Sequence, residues 1–262
     1  MYVAVAGSDV YVYTGARTLD AALPSVVFVH GAANDHSVWA LQSRYFAHHG
    51  RNALAVDLPG HGRSGGNALS SVEAIAGWVA ALLDAVGIGA AALVGHSMGS
   101  LAALECAARY PDRVSRIALI GPAVPMTVAD TLLEAAKRND HVAYELVTGW
   151  SYSAGKRLGG STMPGVWLTG NAMRLLERAR PGVLYTDLLA CHTYAEGLAT
   201  AEKVRCPALA IVGARDLMAP PKNSRDLIRT LPDARAVELP DCGHALMAEQ
   251  PDAVLDALRA FL

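Results

Sequence analysis

Short, unbroken apolar runs alternate along this chain with longer stretches in which apolar residues return every three or four positions. Residues 25–30, 53–56, 90–94, 116–120, 208–212 and 236–239 are runs of the first kind, which predict strands covered on both faces of a parallel sheet. The helical period occupies residues 37–49, 71–86, 98–109, 222–230 and 251–262, so strands and helices take turns. Residues 2–5 and 10–14, around Gly7, Ser8 and Asp9, read instead as an antiparallel hairpin. Such alternation predicts an α/β fold whose parallel sheet carries helices on both faces, with ligands bound beyond the carboxyl ends of the strands. The rhythm stops between residues 122 and 205, where only helical patterns appear, at about 129–138, 141–148, 171–179 and 184–196, around a loose Gly- and Ser-rich segment at 153–165. The expected organisation is therefore a core of residues 1–121 and 206–262 with a helical insertion at 122–205.

A length of 262 residues suits one large domain with an insertion, and 52% hydrophobic with 18% charged residues is a globular balance. A net charge of −2 with scattered Lys and Arg gives no footprint for nucleic acid. No apolar run approaches the ~18 residues of a membrane span, and Met1 to Ser8 has no basic start or long apolar centre, which predicts a cytoplasmic protein. Cys106, Cys191, Cys206 and Cys242 show no CxxC spacing and read as reduced, mostly packed thiols. No His or carboxylate set has metal-ligand spacing, and no Gly-rich phosphate cradle follows a strand, so no cofactor or metal is implied.

The candidate chemistry starts at Gly95-His96-Ser97-Met98-Gly99, between an apolar run and a helical stretch. A Gly-x-Ser-x-Gly sequence in that setting reads as a nucleophile elbow, with small flanking residues where the helix folds back on the strand. A serine hydroxyl needs a base within hydrogen-bond reach and an acid to orient that base. His244, after the last strand in Asp241-Cys242-Gly243-His244, is the candidate base, and Asp216, in Gly213-Ala214-Arg215-Asp216 after the preceding strand, is the candidate acid. The oxyanion of acyl transfer needs two inward N–H groups. Met98 supplies one, and Ala32 in His30-Gly31-Ala32-Ala33 is the expected second, with Ala33 as the alternative. His30, His96 and His61 read as residues that orient loops, Asp57 as one that ties down its own turn, and His48 and His49 as surface positions at a helix end.

Taken together, these motifs resemble the α/β-hydrolase family, its single-domain members with a helical cap. His30-Gly31 before Trp39, the segment Asp57-Leu58-Pro59-Gly60-His61-Gly62-Arg63-Ser64, the elbow, Gly213-Ala214-Arg215-Asp216 and Gly243-His244 occur in that family's order. The resemblance implies a mostly parallel, doubly wound sheet of about eight strands, a Ser97–Asp216–His244 triad, an oxyanion hole at Ala32 and Met98, and residues 122–205 as the lid. Relatives that are epoxide hydrolases or haloalkane dehalogenases carry aspartate at the elbow, so Ser97 disfavours those activities. The turn at Gly31-Ala32-Ala33 departs from the glycine-rich version of many lipases, which argues against lipase action and bulky tertiary-alcohol esters.

The expected activity is that of a serine carboxylesterase acting on a small, largely apolar or aromatic ester through an acyl-enzyme. Tyr144, Trp150, Trp167, Tyr152, Met126, Met163 and Met173 lie in the insertion and, with Ala33 and His96, are the candidate substrate contacts, although Trp and Met at helical spacing also serve as core. The triad by itself leaves open a C–C bond hydrolase, a thioesterase, a lactonase, a perhydrolase or an acyltransferase. A hydrolase-like small-molecule receptor, from a different class, is separated from all of these by the turnover of simple esters.

Overall fold

In the computed structural model, which describes residues 1–161 and 165–262, the apolar runs become a sheet of eight strands in the order β1-β2-β4-β3-β5-β6-β7-β8. The strands are β1 (Tyr2–Val5), β2 (Ser8–Tyr13), β3 (Ser25–Val29), β4 (Asn52–Val56), β5 (Ala91–His96), β6 (Val114–Ile120), β7 (Ala208–Gly213) and β8 (Ala234–Leu239). β1 and β2 form the expected hairpin, with Ala6 and Gly7 at positive φ in its two-residue turn. β2 also pairs antiparallel with β4, and every other pairing is parallel.

Alternate residues of the central strands feed two separate cores. Val27 and Val29 of β3, Leu93 of β5, and Ile117 and Leu119 of β6 face one cluster. Val26, Phe28, Val94, Ala118 and Ile120 face the other. The first is covered by α2 (Val72–Ala85) and α3 (Met98–Arg109), the second by α1 (Ala40–Ala47) and α12 (Pro251–Phe261). Period-2 strand geometry sends neighbouring side chains to opposite faces, so strands that are apolar throughout need helices on both sides. Ser71 caps α2 by accepting from the Ala74 N–H at 3.1 Å. The expected helix at 37–49 divides into a 3-10 turn at His36–Trp39, capped by Asp35, followed by α1.

Between β6 and β7 run α4 (Asp130–Lys137), α5 (His141–Ser151), α6 (Ala154–Arg157), α7 (Leu168–Glu177), α8 (Val183–Thr193) and α9 (Gly197–Ala201). Leu132, Ala143, Leu176, Leu184 and Leu188 from these helices form a third apolar cluster, which Ala33 of the core joins. The short helices α6 and α9 had no clear apolar period in the sequence. The chain closes through α10 (Arg225–Thr230) and α11 (Leu246–Glu249), which stand before and after β8. Among the described residues, no helix is long and apolar enough to cross a membrane.

Candidate active site

β5 ends at His96 and α3 begins at Met98, leaving Ser97 at the joint with φ 53° and ψ −118°. A non-glycine residue held there is strained, at a typical cost of about 1–3 kcal/mol, and its surroundings must impose the turn. They do so by close backbone approach. A Cβ on Gly95 would stand 2.0 Å from the Gly99 carbonyl oxygen, and one on Gly99 would stand 2.3 Å from the Val29 oxygen, so neither position admits a side chain. The Ser97 N–H donates to Ile120 O at 2.9 Å, tying the joint to the neighbouring strand end.

Asp216 follows β7 and His244 follows β8, and the two side chains meet. His244 Nδ1 donates to Asp216 Oδ2 at 2.7 Å, with both residues buried. The other carboxylate oxygen accepts from the amides of Met218 at 2.8 Å and Ala219 at 2.7 Å. Burial by itself would raise the Asp216 carboxyl, but His244 and these two amides outweigh it and hold the pKa below the ordinary carboxylate value. Asp216 is thus an ionised acceptor that fixes the hydrogen of His244 on Nδ1 and leaves Nε2 as the nitrogen free for proton transfer.

Ser97 and His244 line one cavity of about 760 Å3. His96 joins them: its Nε2 donates to the His244 carbonyl at 2.8 Å, and the two rings stand 4.8 Å apart. Burial, reinforced by His244, lowers the His96 pKa to about 3, so the ring is neutral and orients its neighbour without competing as a base. Among the described residues, Ser97 Oγ takes no hydrogen bond. Such contacts are commonly long without substrate and tighten in the reacting complex.

Met98 is the first residue of α3, where an N–H has no partner within its helix. Among the described residues, neither its N–H nor that of Ala32 donates to a protein acceptor, and Ala32 lines the cavity. Ala33 differs from its expected role as the alternative donor and substrate contact. Its N–H donates to Asp187 Oδ2 at 2.8 Å, it is buried in the third apolar cluster, and it does not line the cavity.

Of the other expected substrate contacts, His96, Trp150, Tyr152 and Met126 line the cavity. Tyr144 packs instead against the apolar cluster of the helical segment, and Trp167 is 70% exposed. Met173 is not among the lining residues either, and Met163 lies outside the described residues. The larger share of the lining is aliphatic, from Val128, Leu132, Val147, Leu184 and Leu188 among others.

Three buried carboxylates that the sequence reading missed join the helical segment to the core. Asp187 of α8 accepts from the Ala33 amide and, at 2.8 Å, from His61 Nε2. His61 Nδ1 donates to Pro59 O at 3.0 Å. A carbonyl and a carboxylate only accept, so both ring nitrogens carry hydrogen and His61 is a cation. Burial would depress its pKa, but the charge and hydrogen bond of Asp187 prevail and raise it. Glu249 of α11 accepts from Gly243 N at 2.9 Å and from Ser153 Oγ at 2.6 Å, joining the loop that carries His244 to the start of α6. Glu105 of α3 accepts from Tyr194 Oη at 2.5 Å and Thr200 Oγ1 at 3.1 Å. Asp187 had a legible signal, as the lone charged residue in the mostly apolar stretch 183–191.

The remaining polar clusters are structural. His30 donates from Nδ1 to Gly31 O and accepts at Nε2 from Leu58 N, and burial lowers its pKa to about 4. Asp57 accepts from the amides of His36 and Arg63 and from His36 Nδ1. Asp35, His36 and Asp57 bring three donor atoms within 4.8 Å of one another, but these bonds already occupy His36 and Asp57, and Asp35 accepts from Ser37 and Arg178. Cys106, Cys191 and Cys242 are buried free thiols, and Cys206 is half-buried.

A sequence model of the alpha/beta hydrolase fold matches residues 24–251. A pimeloyl-acyl-carrier-protein methyl ester esterase of Chromobacterium violaceum is 32% identical over 233 residues, spanning 85% of this chain and 87% of its own. An (E)-2-((N-methylformamido)methylene)succinate hydrolase of Acinetobacter baylyi is 25% identical over 243 residues, spanning 90% and 89%. Among solved structures, the enol-lactonase of Burkholderia xenovorans superposes with a TM-score of 0.85 at 25% identity, covering 100% of this chain and 99% of that one.

Proposed function

The chain belongs to the α/β-hydrolase fold family and is an ester-hydrolysing enzyme of it, and from that premise we propose that it is a serine carboxylesterase in which Ser97, His244 and Asp216 act as the triad. The observation that carries this reading is the buried His244–Asp216 hydrogen bond of 2.7 Å, opening on the same cavity as the strained Ser97. His244 Nε2 takes the Ser97 proton as Oγ attacks the ester carbonyl carbon. The carbonyl oxygen becomes an anion facing the amides of Ala32 and Met98, each worth ~3–4 kcal/mol when aimed at developing charge. Collapse breaks the bond to the alcohol oxygen, which leaves with the proton from His244. Water, deprotonated by the same nitrogen, then attacks the acyl-enzyme and frees the acid and Ser97. Asp216 stays ionised throughout and keeps His244 in the productive tautomer.

In this reading, residues 122–205 cap the core and supply most of the apolar cavity wall. A lining of this kind favours a small ester with apolar acyl and alcohol parts, and the lactone-opening structural relative makes cyclic esters a natural part of the panel. The test is turnover of short p-nitrophenyl esters beside lactones and thioesters. Ser97→Ala should lower kcat by at least about a thousandfold with the fold intact. An unchanged rate in that variant, or tight ligand binding by the wild type without turnover, would overturn the proposal and leave a receptor as the better reading.

A further inference from the structure

The expected second donor of the oxyanion hole, Ala32, sits in a turn that does not hold itself. Asn34 N–H donates to Gly31 O at 3.2 Å, which closes a four-residue turn around Ala32 and Ala33. Ala33, its second central residue, has φ 52°, a conformation that type II turns ordinarily give to glycine. An alanine kept there is strained, so its surroundings must impose the turn. One side chain grips it. Asp187 of α8, in the helical segment, accepts from the Ala33 N–H at 2.8 Å, and both residues are buried. The preceding peptide is held at its carbonyl end, where Gly31 O accepts from Asn34 N–H and, at 2.8 Å, from His30 Nδ1. A trans peptide directs its N–H away from its carbonyl, so the Ala32 N–H leaves on the opposite side. The turn stands against the proposed nucleophile, since a Cβ on Gly31 would lie 3.2 Å from Ser97 Cβ.

From this we infer that Asp187 is a positioning residue for catalysis, a carboxylate of the helical segment that holds the oxyanion-hole turn of the core in its working shape. This rests on the esterase reading above. A flip of the Ala32–Ala33 peptide would relieve the strain at Ala33, but it would also turn Ala32 and spoil the aim of its N–H. Asp187 opposes the flip, which would bring the Ala32 carbonyl oxygen against a carboxylate that can only accept. The same Oδ2 accepts from His61 Nε2 at 2.8 Å, so the negative charge placed near the developing oxyanion is already met by a cation. Leu184 and Leu188, on either side of Asp187 in α8, line the cavity. The helix that walls the substrate cavity is thus the one that sets the hole.

The experiment compares Asp187→Leu, which removes the acceptor, with Asp187→Asn, which keeps an acceptor oxygen. Both lose the ion pair and should melt below the wild type, so folding is checked by circular dichroism and rates are taken per site titrated with a fluorophosphonate. With a p-nitrophenyl ester, Asp187→Leu should lower kcat by roughly thirtyfold or more and change KM by less than about threefold. Asp187→Asn should recover at least about tenfold of that loss, although its melting temperature falls as well. Ala33→Gly, which accepts positive φ without strain, should restore the rate of Asp187→Leu by about threefold or more with no ion pair regained. A trifluoromethyl ketone matching the ester reads the hole apart from the leaving group. Ser97 Oγ adds to its carbonyl carbon, the proton passes to His244 and the carbonyl oxygen becomes the anion in the hole. Its affinity should fall with kcat/KM in Asp187→Leu, while that of the matching carbinol, which forms no anion, stays within about threefold. An active wild type whose Asp187→Leu variant keeps its kcat, an Asp187→Asn variant as slow as Asp187→Leu, no rescue by Ala33→Gly, or equal losses of ketone and carbinol affinity would overturn this inference alone. Should Asp187→Leu not fold, a loss of about thirtyfold in folded Asp187→Asn would do the same, and a loss under about threefold would uphold it. A wild type that turns over no ester and forms no ketone adduct would refute the esterase reading itself, and this inference with it.

Discussion

Replacing Asp187 by Ala removes the one carboxylate that answers both the His61 imidazolium and the Ala33 amide. Asp187 is 1% exposed and His61 is 3% exposed, so no water stands ready to take its place. Breaking a buried ion pair from one side costs about 3–5 kcal/mol, because the surviving charge is left uncompensated. His61 can recover part of that by releasing its proton, but the buried Ala33 N–H then still lacks an acceptor, a loss of about 1–3 kcal/mol. A net destabilisation of about 4 kcal/mol is expected, which at about 2–4 °C per kcal/mol lowers Tm by ~8–16 °C. Urea unfolding monitored by far-UV circular dichroism, with Tm from calorimetry, measures it. A cycle with His61→Ala should give a coupling above ~1 kcal/mol. A loss below ~1 kcal/mol, the range of a solvated surface pair, or simple additivity would refute the account of this contact as a buried anchor between α8 and the core.

The same pair predicts a pH dependence. The His61 pKa is raised on folding, so its contribution is full below the unfolded value of ~6.5 and is lost as pH rises through the folded one, a decline in urea midpoint that His61→Ala should lack. Asp216 has the opposite sign: its pKa is lowered, so its contribution is present above the unfolded value of ~3.9 and is lost as pH falls through the folded one. His96→Ala removes the donor that holds the His244 carbonyl, and should lower kcat by roughly ten- to a hundredfold with little change in KM. Gly99→Ala would place a Cβ 2.3 Å from Val29 O and should cost more than ~3 kcal/mol or abolish soluble expression. Gly149→Ala, within α5 and with nothing in reach of the new methyl, should instead stabilise by ~0.5–1 kcal/mol.

The parts of this molecule that were legible in its sequence are those whose signal is local. Ser71 before an apolar period marked the start of α2, and the unbroken run at 25–29 marked a strand covered on both faces. The glycines at 95 and 99 announced a turn whose backbone contacts exclude side chains. His244 and Asp216 were legible because each follows a strand that the sheet delivers to the same rim. What depends on distant partners was not. Ala33 was a reasonable candidate donor until Asp187, 154 positions away, claimed its amide. Trp167 and Tyr144 looked like wall residues because aromatic composition cannot say which face of a helix meets a cavity and which meets solvent or core.

Labelling with a fluorophosphonate, read by intact mass and peptide mapping, tests the proposed convergence of Ser97, His244 and Asp216 most directly. One adduct per chain, carried on Ser97 and suppressed in His244→Ala, is the predicted result. Wild-type protein that turns over esters yet acquires no adduct at Ser97, or acquires it elsewhere, would contradict the account.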